Sequence, residues 1–462
     1  MQPMNRIRMT HSAAVLSALL LLAACAGGPE DDTPWQELFN GEDLSGWTQL
    51  GGEAEYAVRD GAIVGTTVHD TPNSFMATEQ LYEDFILELE YLVDSTMNSG
   101  IQVRSNSQDY YMDGRVHGYQ IEIDPSDRGW SAGIYDEARR GWLVPVTDNP
   151  DAQAAFRQGD WNHYRIEAIG DTLKTWINGV PAAHLIDDKT SEGFIALQVH
   201  SIGDDAQAGT EIIWRDIRIL TDSLARAYSR DTPLEPVVTK NNLTQAEKED
   251  GWQLLWDGES TEGWHGARLE DFPDYGWEIE DGVLTVLASG GGESEAGGDI
   301  VTDSLYGDFD LRVDFRITEG ANSGIKYYVD TELNKGEGSA IGLEYQILDD
   351  ERHPDAKLGN HEGSRTMASL YDLIRADPAK PVNPIGQWNT ARILSRDGHV
   401  EHWLNGVKVL EYERGSDAYR QLVSESKYKI WPGFGEAGRG HILLQDHGNR
   451  VSFRNIKIKT LN

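Results

Sequence analysis

Gly342-Leu-Glu-Tyr-Gln-Ile-Leu-Asp-Asp350 alternates with a period of two. As a β-strand it turns Leu343, Tyr345 and Ile347 to one side and Glu344 and Gln346 to the other. Gly118-Tyr-Gln-Ile-Glu-Ile-Asp124 has the same rhythm with amide and acid exchanged, Gln120 and Glu122. An apolar back with an acid/amide front predicts a sheet that packs on a core and lines a polar cleft.

Outward from these two strands, the chain repeats itself. Trp35-Gln-Glu-Leu-Phe-Asn-Gly41 returns as Trp252-Gln-Leu-Leu-Trp-Asp-Gly258, and Asn98-Ser-Gly-Ile101 returns as Asn322-Ser-Gly-Ile325. Trp176-Ile-Asn-Gly-Val180 returns as Trp403-Leu-Asn-Gly-Val407, and Ile195-Ala-Leu-Gln-Val-His200 as Ile442-Leu-Leu-Gln-Asp-His447. Landmarks kept in one order imply tandem duplication, with one domain over 34–221, a Pro-bearing polar linker over 222–249 ending in a short helix, and a second domain over 250–462. Short alternating runs separated by Gly, Asn and Asp make the fold class all-β. Asn178-Gly179 and Asn405-Gly406 between apolar residues predict type I′ hairpin turns. Two antiparallel sheets packed face to face, one of them concave, are the expected unit.

The N-terminus reads as a targeting segment. Arg6 and Arg8 precede a short apolar run from Ala13 to Leu22, too short to span a bilayer, and small residues follow. Leu22-Ala-Ala-Cys25 is similar to a bacterial lipobox, which implies a signal peptide over 1–25, lipidation at Cys25 and a tether over 26–33. Ala26 after the cysteine favours the outer membrane, so the expected membrane contact is through that lipid only. Cys25 is the single cysteine, which excludes an intrachain disulfide. The 462 residues carry 40 basic and 77 acidic side chains, a formal charge of −37, which argues against nucleic acid as a partner.

The candidate chemistry lies on the alternating fronts. In the second domain Glu344, Gln346, Gln445 and His447 would share one face, with Lys326 leaving the Asn-Ser-Gly strand. The first domain offers Gln120, Glu122, Gln198 and His200, with Arg104 where the second has Tyr328. A long polar loop after Asp349 carries His353, His361, Arg365 and Tyr371 and is expected to roof the cleft. In the first domain Trp130 and Trp142 either stack on a sugar ring or fill the sandwich edge.

These motifs, with His402-Trp-Leu-Asn-Gly406, Gln445-Asp-His-Gly448 and the terminal Phe453-Arg-Asn-Ile-Lys457, resemble the 3-keto-disaccharide hydrolase family. The resemblance covers both copies and is more specific in the second. It implies two tandem concanavalin A-like jelly-roll sandwiches and cleavage of glycosides oxidised to a ketone at C3. The first domain departs from the pattern, with Thr175 at the His402 position.

A C3 ketone acidifies the C2 hydrogen, so a base can remove it while the C1 substituent leaves, and water then adds to the enone. This requires a base, a donor for the enolate oxygen and an acid for the leaving oxygen. Glu344 or His447 is the expected base, and Lys326 or Arg365 the enolate donor. Gln346, Gln445, His402, Tyr371, His361 and Asp349 are expected around the substrate, as are Arg104, Gln120, Glu122 and His200 in the first copy. A divalent cation on Glu344, Asp349 and histidines could replace the cationic donor, although no tight metal-ligand spacing is visible. Two alternatives stand beside this: a sugar-binding lipoprotein without turnover, and laminarinase-like hydrolysis by Glu122, Asp124 and Asp127 with carboxylates about 5–5.5 Å apart.

Overall fold

A computed structural model describes residues 35–204, 206–229, 233–290, 292–294, 297–334 and 338–461. The expected leader, Cys25 and the tether lie outside the described residues. Among the described residues no helix is long and apolar enough to cross a membrane.

Each copy is a sandwich of two antiparallel sheets around its own apolar core. In the second domain the larger sheet is centred on the Phe309–Ile317, Val451–Thr460 and Asn389–Arg396 strands. The smaller sheet runs Trp264–Gly266, Ile300–Thr302, His441–Leu444, Asn322–Asp330, Ile341–Leu348. The alternation read from the sequence is realised there: Leu343, Tyr345 and Ile347 enter the core between the sheets. In the first domain the corresponding strands are His117–Ile123, Ser99–Asn106 and Phe194–Val199.

The hairpin turns form at the expected sites. Ile177 pairs with Val180 and Leu404 with Val407, and Asn178, Gly179, Asn405 and Gly406 all have positive φ, as a type I′ turn requires. The linker is only partly a connector. Val237–Val238 adds a parallel strand to the first domain's larger sheet. Gln245–Glu249 is a short helix whose Thr244 and Glu247 form a capping box.

The first domain sits against the outer face of the second domain's larger sheet. Arg454 pairs with Asp188, and Lys189 donates to the Thr390 hydroxyl at 2.5 Å. Asn241 and Asn455 exchange backbone-to-side-chain hydrogen bonds at 2.6 and 2.8 Å. Lys457 and Lys459 reach Glu247 and Asp250 of the linker helix, each at 2.5 Å.

Candidate active site

The floor of the site is the antiparallel pairing of the Asn322–Asp330 and Ile341–Leu348 strands, which sets Lys326 opposite Glu344 and Gly324 opposite Gln346. Because side chains alternate, Lys326, Glu344 and Gln346 leave the sheet on the side away from the core. Lys326 Nζ lies 3.6 Å from Glu344 Oε2, and both side chains are nearly inaccessible. Gly324 lets the acid lie flat across the neighbouring strand, since a Cβ there would sit 2.5 Å from Glu344 Oε1. The crowding that requires a glycine here is with the carboxyl itself.

Polar groups then spread along the same face. The Gln346 amide, with its nitrogen turned toward acceptors, donates to Glu344 Oε1 and to the Ser323 carbonyl, both at 3.1 Å. The Asn322 side chain is 3.2 Å from that amide and 3.3 Å from His447 Nε2. The carboxyl of Glu344 and the ring of His447 are thereby joined through two amides on one face. Gln445 donates to Glu293 at 2.8 Å, and its own carbonyl oxygen is buried without a partner among the described residues.

Electrostatics follow from this enclosure. Burial raises the Glu344 pKa above the ordinary carboxylate range, only partly opposed by Lys326, Lys427 and His447. Burial works against the Lys326 charge too, but Glu344, Asp299 and Glu293 outweigh it and hold its pKa up. The ammonium donates to the Ser339 hydroxyl, which in turn donates to buried Asp299, and to the Ala340 carbonyl at 3.3 Å.

The roof differs from expectation. The long loop does approach the site: the His353 ring lies 6.1 Å from that of His447. Its later part, however, returns as an extra edge on the Glu344 strand. Ala368 donates to the Gln346 carbonyl at 2.8 Å, and Tyr371 to the Glu344 carbonyl at 3.0 Å. The Tyr371 hydroxyl donates to Asp355 at 2.8 Å. The other wall is an insertion that sequence reasoning passed over, the Asp417–Glu425 helix, the Lys427–Ile430 turn and Trp431. Lys427 extends over the Tyr371 ring at 4.4 Å. Lys326, Glu293, Ala340, Tyr428 and Trp431 border a cavity of about 250 Å³. The signal for this wall was length: the corresponding interval of the first copy, between Val180–Ile186 and Phe194–Val199, has no room for a helix. Asp299, Glu293 and Ser339 carried no motif and are placed only by the folded sheet.

Several expected residues lie elsewhere. His402 points into the core, fully buried, accepting from the Tyr327 hydroxyl at 2.7 Å and donating to the Ala368 carbonyl at 2.9 Å. Its strand belongs to the other sheet, and its period-two phase turns 402 inward. Arg104 also faces no cleft. It sits at a bulge with φ of 46° and spends its guanidinium on the Glu83 and Gly170 carbonyls and Asp84. Asp349 accepts the Gly320 amide at 2.8 Å and the Glu351 and Arg352 amides, so it shapes the turn after the strand. Arg365 is paired with Asp355 and Asp372 at 2.7 and 2.8 Å and lies over Tyr371, so it braces the wall and not the acid. His361 lies 3.9 Å from Glu425, on the inserted helix. Glu344 and Asp349 do not converge with a histidine. Among the described residues the one converging trio of possible metal ligands is His399, Glu401 and Glu411, far from this face, on strands where Lys408 already lies 2.6 Å from Glu411.

The first domain keeps the stage with other actors. Gln102 and Gln120 stand where Lys326 and Glu344 stand in the second, and Glu122 takes the Gln346 position. Gln120 accepts from Gln102 and Gln198 at 2.6 and 2.9 Å and donates to Glu122 at 3.0 Å. Burial raises the Glu122 pKa, against the pull of Asn98, Gln120 and Arg128. Asp124 is tied to Ser126 and Arg128, and Asp127 lies in the exposed turn beyond it. Trp130 and Trp142 enclose Arg128 at 4.5 and 5.1 Å. His200 is held by the Ser201 carbonyl at 2.6 Å.

The fold and this face define a tandem β-sandwich protein with a buried acid–ammonium pair whose lysine borders a cavity of about 250 Å³. Over residues 34–220 and again over 251–459 the chain matches the family model of the 3-keto-alpha-glucoside-1,2-lyase-like domain, and it belongs to that family. A protein of Bacteroides thetaiotaomicron described as a 3-keto-disaccharide hydrolase is 38% identical over 235 residues, 46% of this chain and 79% of the relative. A crystal structure from Parabacteroides distasonis, provisionally described as a glycosyl hydrolase, is 33% identical with a TM-score of 0.42, covering 48% of this chain and all of that one. The carbohydrate-binding module CBM66 of Bacillus subtilis is 16% identical, covering 38% of this chain and 95% of its own, with a TM-score of 0.28.

Proposed function

We propose that the second domain cleaves 3-keto-glycosides by elimination across C1–C2 followed by hydration. The observation that carries this reading is the Glu344–Lys326 pair: a carboxyl whose pKa is raised by burial, set 3.6 Å from an ammonium that stays charged and borders a cavity. Glu344 takes the C2 proton while the C–H electron pair forms the enolate, and Lys326 donates to the developing C3 oxyanion. Collapse of the enolate expels the C1 oxygen, which His447 protonates. Water then adds to C1 of the enone and a proton returns to C2, giving the free 3-keto sugar and the aglycone alcohol. In this reading Gln346, Gln445 and Tyr371 meet ring hydroxyls.

The first domain has an amide pair where the second has acid and ammonium, so it is read as binding the same class of sugar without cleaving it. The chain is further proposed to be held at the outer membrane by lipid on Cys25; mass spectrometry of the mature N-terminus that finds an unmodified residue removes that assignment.

The test of the activity is release of aglycone from a 3-keto-glucoside against the unoxidised glucoside, with and without chelator, in D2O. Release from the keto form alone, with deuterium incorporated at C2, supports elimination. Equal release from both forms, or none from either, sinks it. Glu344→Gln should lower turnover by about 100-fold or more, the scale of a positioned base.

A further inference from the structure

The outer face of the second domain's larger sheet and the first domain's loops enclose a cavity of about 370 Å³, on the opposite side of the second domain from the Glu344 cleft. That volume lies in the range of small-molecule sites. In a chain of net charge −37, its walls are unusual for carrying arginines from both domains.

Three of these arginines keep an N–H without a partner. Arg312 Nε, Arg454 Nε and Arg139 Nη2 are each buried and make no hydrogen bond among the described residues. The acids nearby are already used. Asp310 is held by Arg392 through two bonds of 2.8 Å, Asp188 is held by Arg454, and Asp136 receives Arg139 at 2.7 Å. Asp314, also in the lining, accepts from Thr390 and Asn455 and stays 3.9 Å from Arg454 Nε, beyond hydrogen-bond reach. Arg312 instead packs against the Trp252 ring at 4.2 Å. A desolvated guanidinium is costly unless an anion meets it, and its planar fork suits a carboxylate or phosphate.

The remaining wall selects between those anions. Tyr110 is about half exposed at the cavity, and the Trp403 ring and the amides of Asn383 and Gln108 also border it. Aromatic faces and neutral amides match the C–H faces and hydroxyls of a sugar ring. A bare inorganic anion needs neither.

We propose that this interdomain cavity binds an acidic saccharide, a sugar ring bearing one carboxylate, with the carboxylate on Arg312 and the ring along Tyr110 and Trp403. The site is separate from the cleavage site and does not depend on how that site works.

The experiment is calorimetric titration of the full chain with glucuronate, glucose and inorganic phosphate at low and moderate salt, repeated on Arg312→Gln and Tyr110→Ala. Saturable glucuronate binding that weakens with salt, with glucose at least tenfold weaker, is expected. Each variant should lose about tenfold or more in glucuronate affinity, the order of one charge-assisted contact. Arg312→Gln should keep 3-keto-glucoside turnover, since it lies on the sheet opposite the one that carries Glu344, and that turnover shows the variant is folded. Absence of saturable glucuronate binding, glucose bound as tightly, phosphate bound in place of glucuronate, or full affinity in both variants each overturns the proposal.

Discussion

Burial disfavours the charged form of Glu344, and Lys326 is the leading charge opposing it. A base must be ionised to take a proton, so the acid limb of kcat/KM should lie above the ordinary glutamate range. Removing the ammonium raises the carboxyl further. Lys326→Met should therefore move that limb to higher pH and lower the plateau by about 100-fold or more, as loss of an oxyanion donor does. A limb that stays in place in the variant separates Glu344 from the rate.

His402 gives a second titration with the opposite consequence. Burial depresses its pKa to about 4, from an unfolded value near 6.5. Between those pH values the unfolded chain binds the proton and the folded one does not, so stability rises with pH and is lost as pH falls from about 6.5 toward 4. The full shift corresponds to roughly 3 kcal/mol. Thermal melts of His402→Gln should show a shallower loss between pH 7 and pH 4.5 than the parent; an unchanged slope would place the acid sensitivity elsewhere. The same residue marks a limit of the sequence. His402 and His447 both stand in alternating runs, and alternation says which neighbours share a face but not which face meets the core. At 402 the inward phase follows from Val400 and Leu404, apolar residues two positions either side.

At the scale of the element, the site is a property of strand pairing. Gly324 and Gly100 occupy the same position in the two copies, and a Cβ at either would meet at 2.5 Å a side chain that reaches diagonally from the neighbouring strand, Glu344 in one and Gln120 in the other. Neither glycine has positive φ, so the requirement is space and not backbone conformation. Gly324→Ala should leave the sheet paired while displacing the carboxyl, and an ångström of misplacement costs on the order of 100-fold in rate. Turnover within threefold of the parent would show that the acid has freedom the packing denies it. Elements of this kind were legible in the sequence. The alternating strands, both Asn-Gly turns and the duplicated order needed only local pattern. The wall formed by Asp417–Glu425 and Trp431 was not, because a short amphipathic helix inside a strand-rich chain has no landmark in its twin against which to be noticed. Asp299 was likewise invisible, since it reaches Ser339 and Lys326 only after separate strands and loops are brought together.

At the scale of the whole molecule, the question is whether the two sandwiches behave as one body. The type I′ turns supply a built-in comparison. Gly179 and Gly406 hold the same place in the two copies, with φ of 82° and 84°. A Cβ on Gly179 meets nothing within 4 Å, whereas one on Gly406 would lie 2.5 Å from the Tyr111 ring of the first domain. Tyr111 has little room to yield, stacked on His117 at 3.9 Å with its hydroxyl bonded to the Ala138 carbonyl at 2.7 Å. Alanine at either glycine carries the same left-handed backbone penalty, about 1–2 kcal/mol. Any excess at 406 reports the contact between domains. Gly406→Ala should therefore destabilise more than Gly179→Ala in calorimetric unfolding. Tyr111→Ala should relieve the excess, giving a coupling of about 0.5–3 kcal/mol in the Gly406/Tyr111 cycle and none in the Gly179/Tyr111 cycle. If the domains unfold as one unit through the Arg454–Asp188 and Asn241–Asn455 contacts, Gly406→Ala should also begin to separate a single transition into two. Equal costs at the two glycines, with simple additivity in both cycles, would mean that the sandwiches do not press on each other in solution. The interdomain cavity would then have no fixed walls.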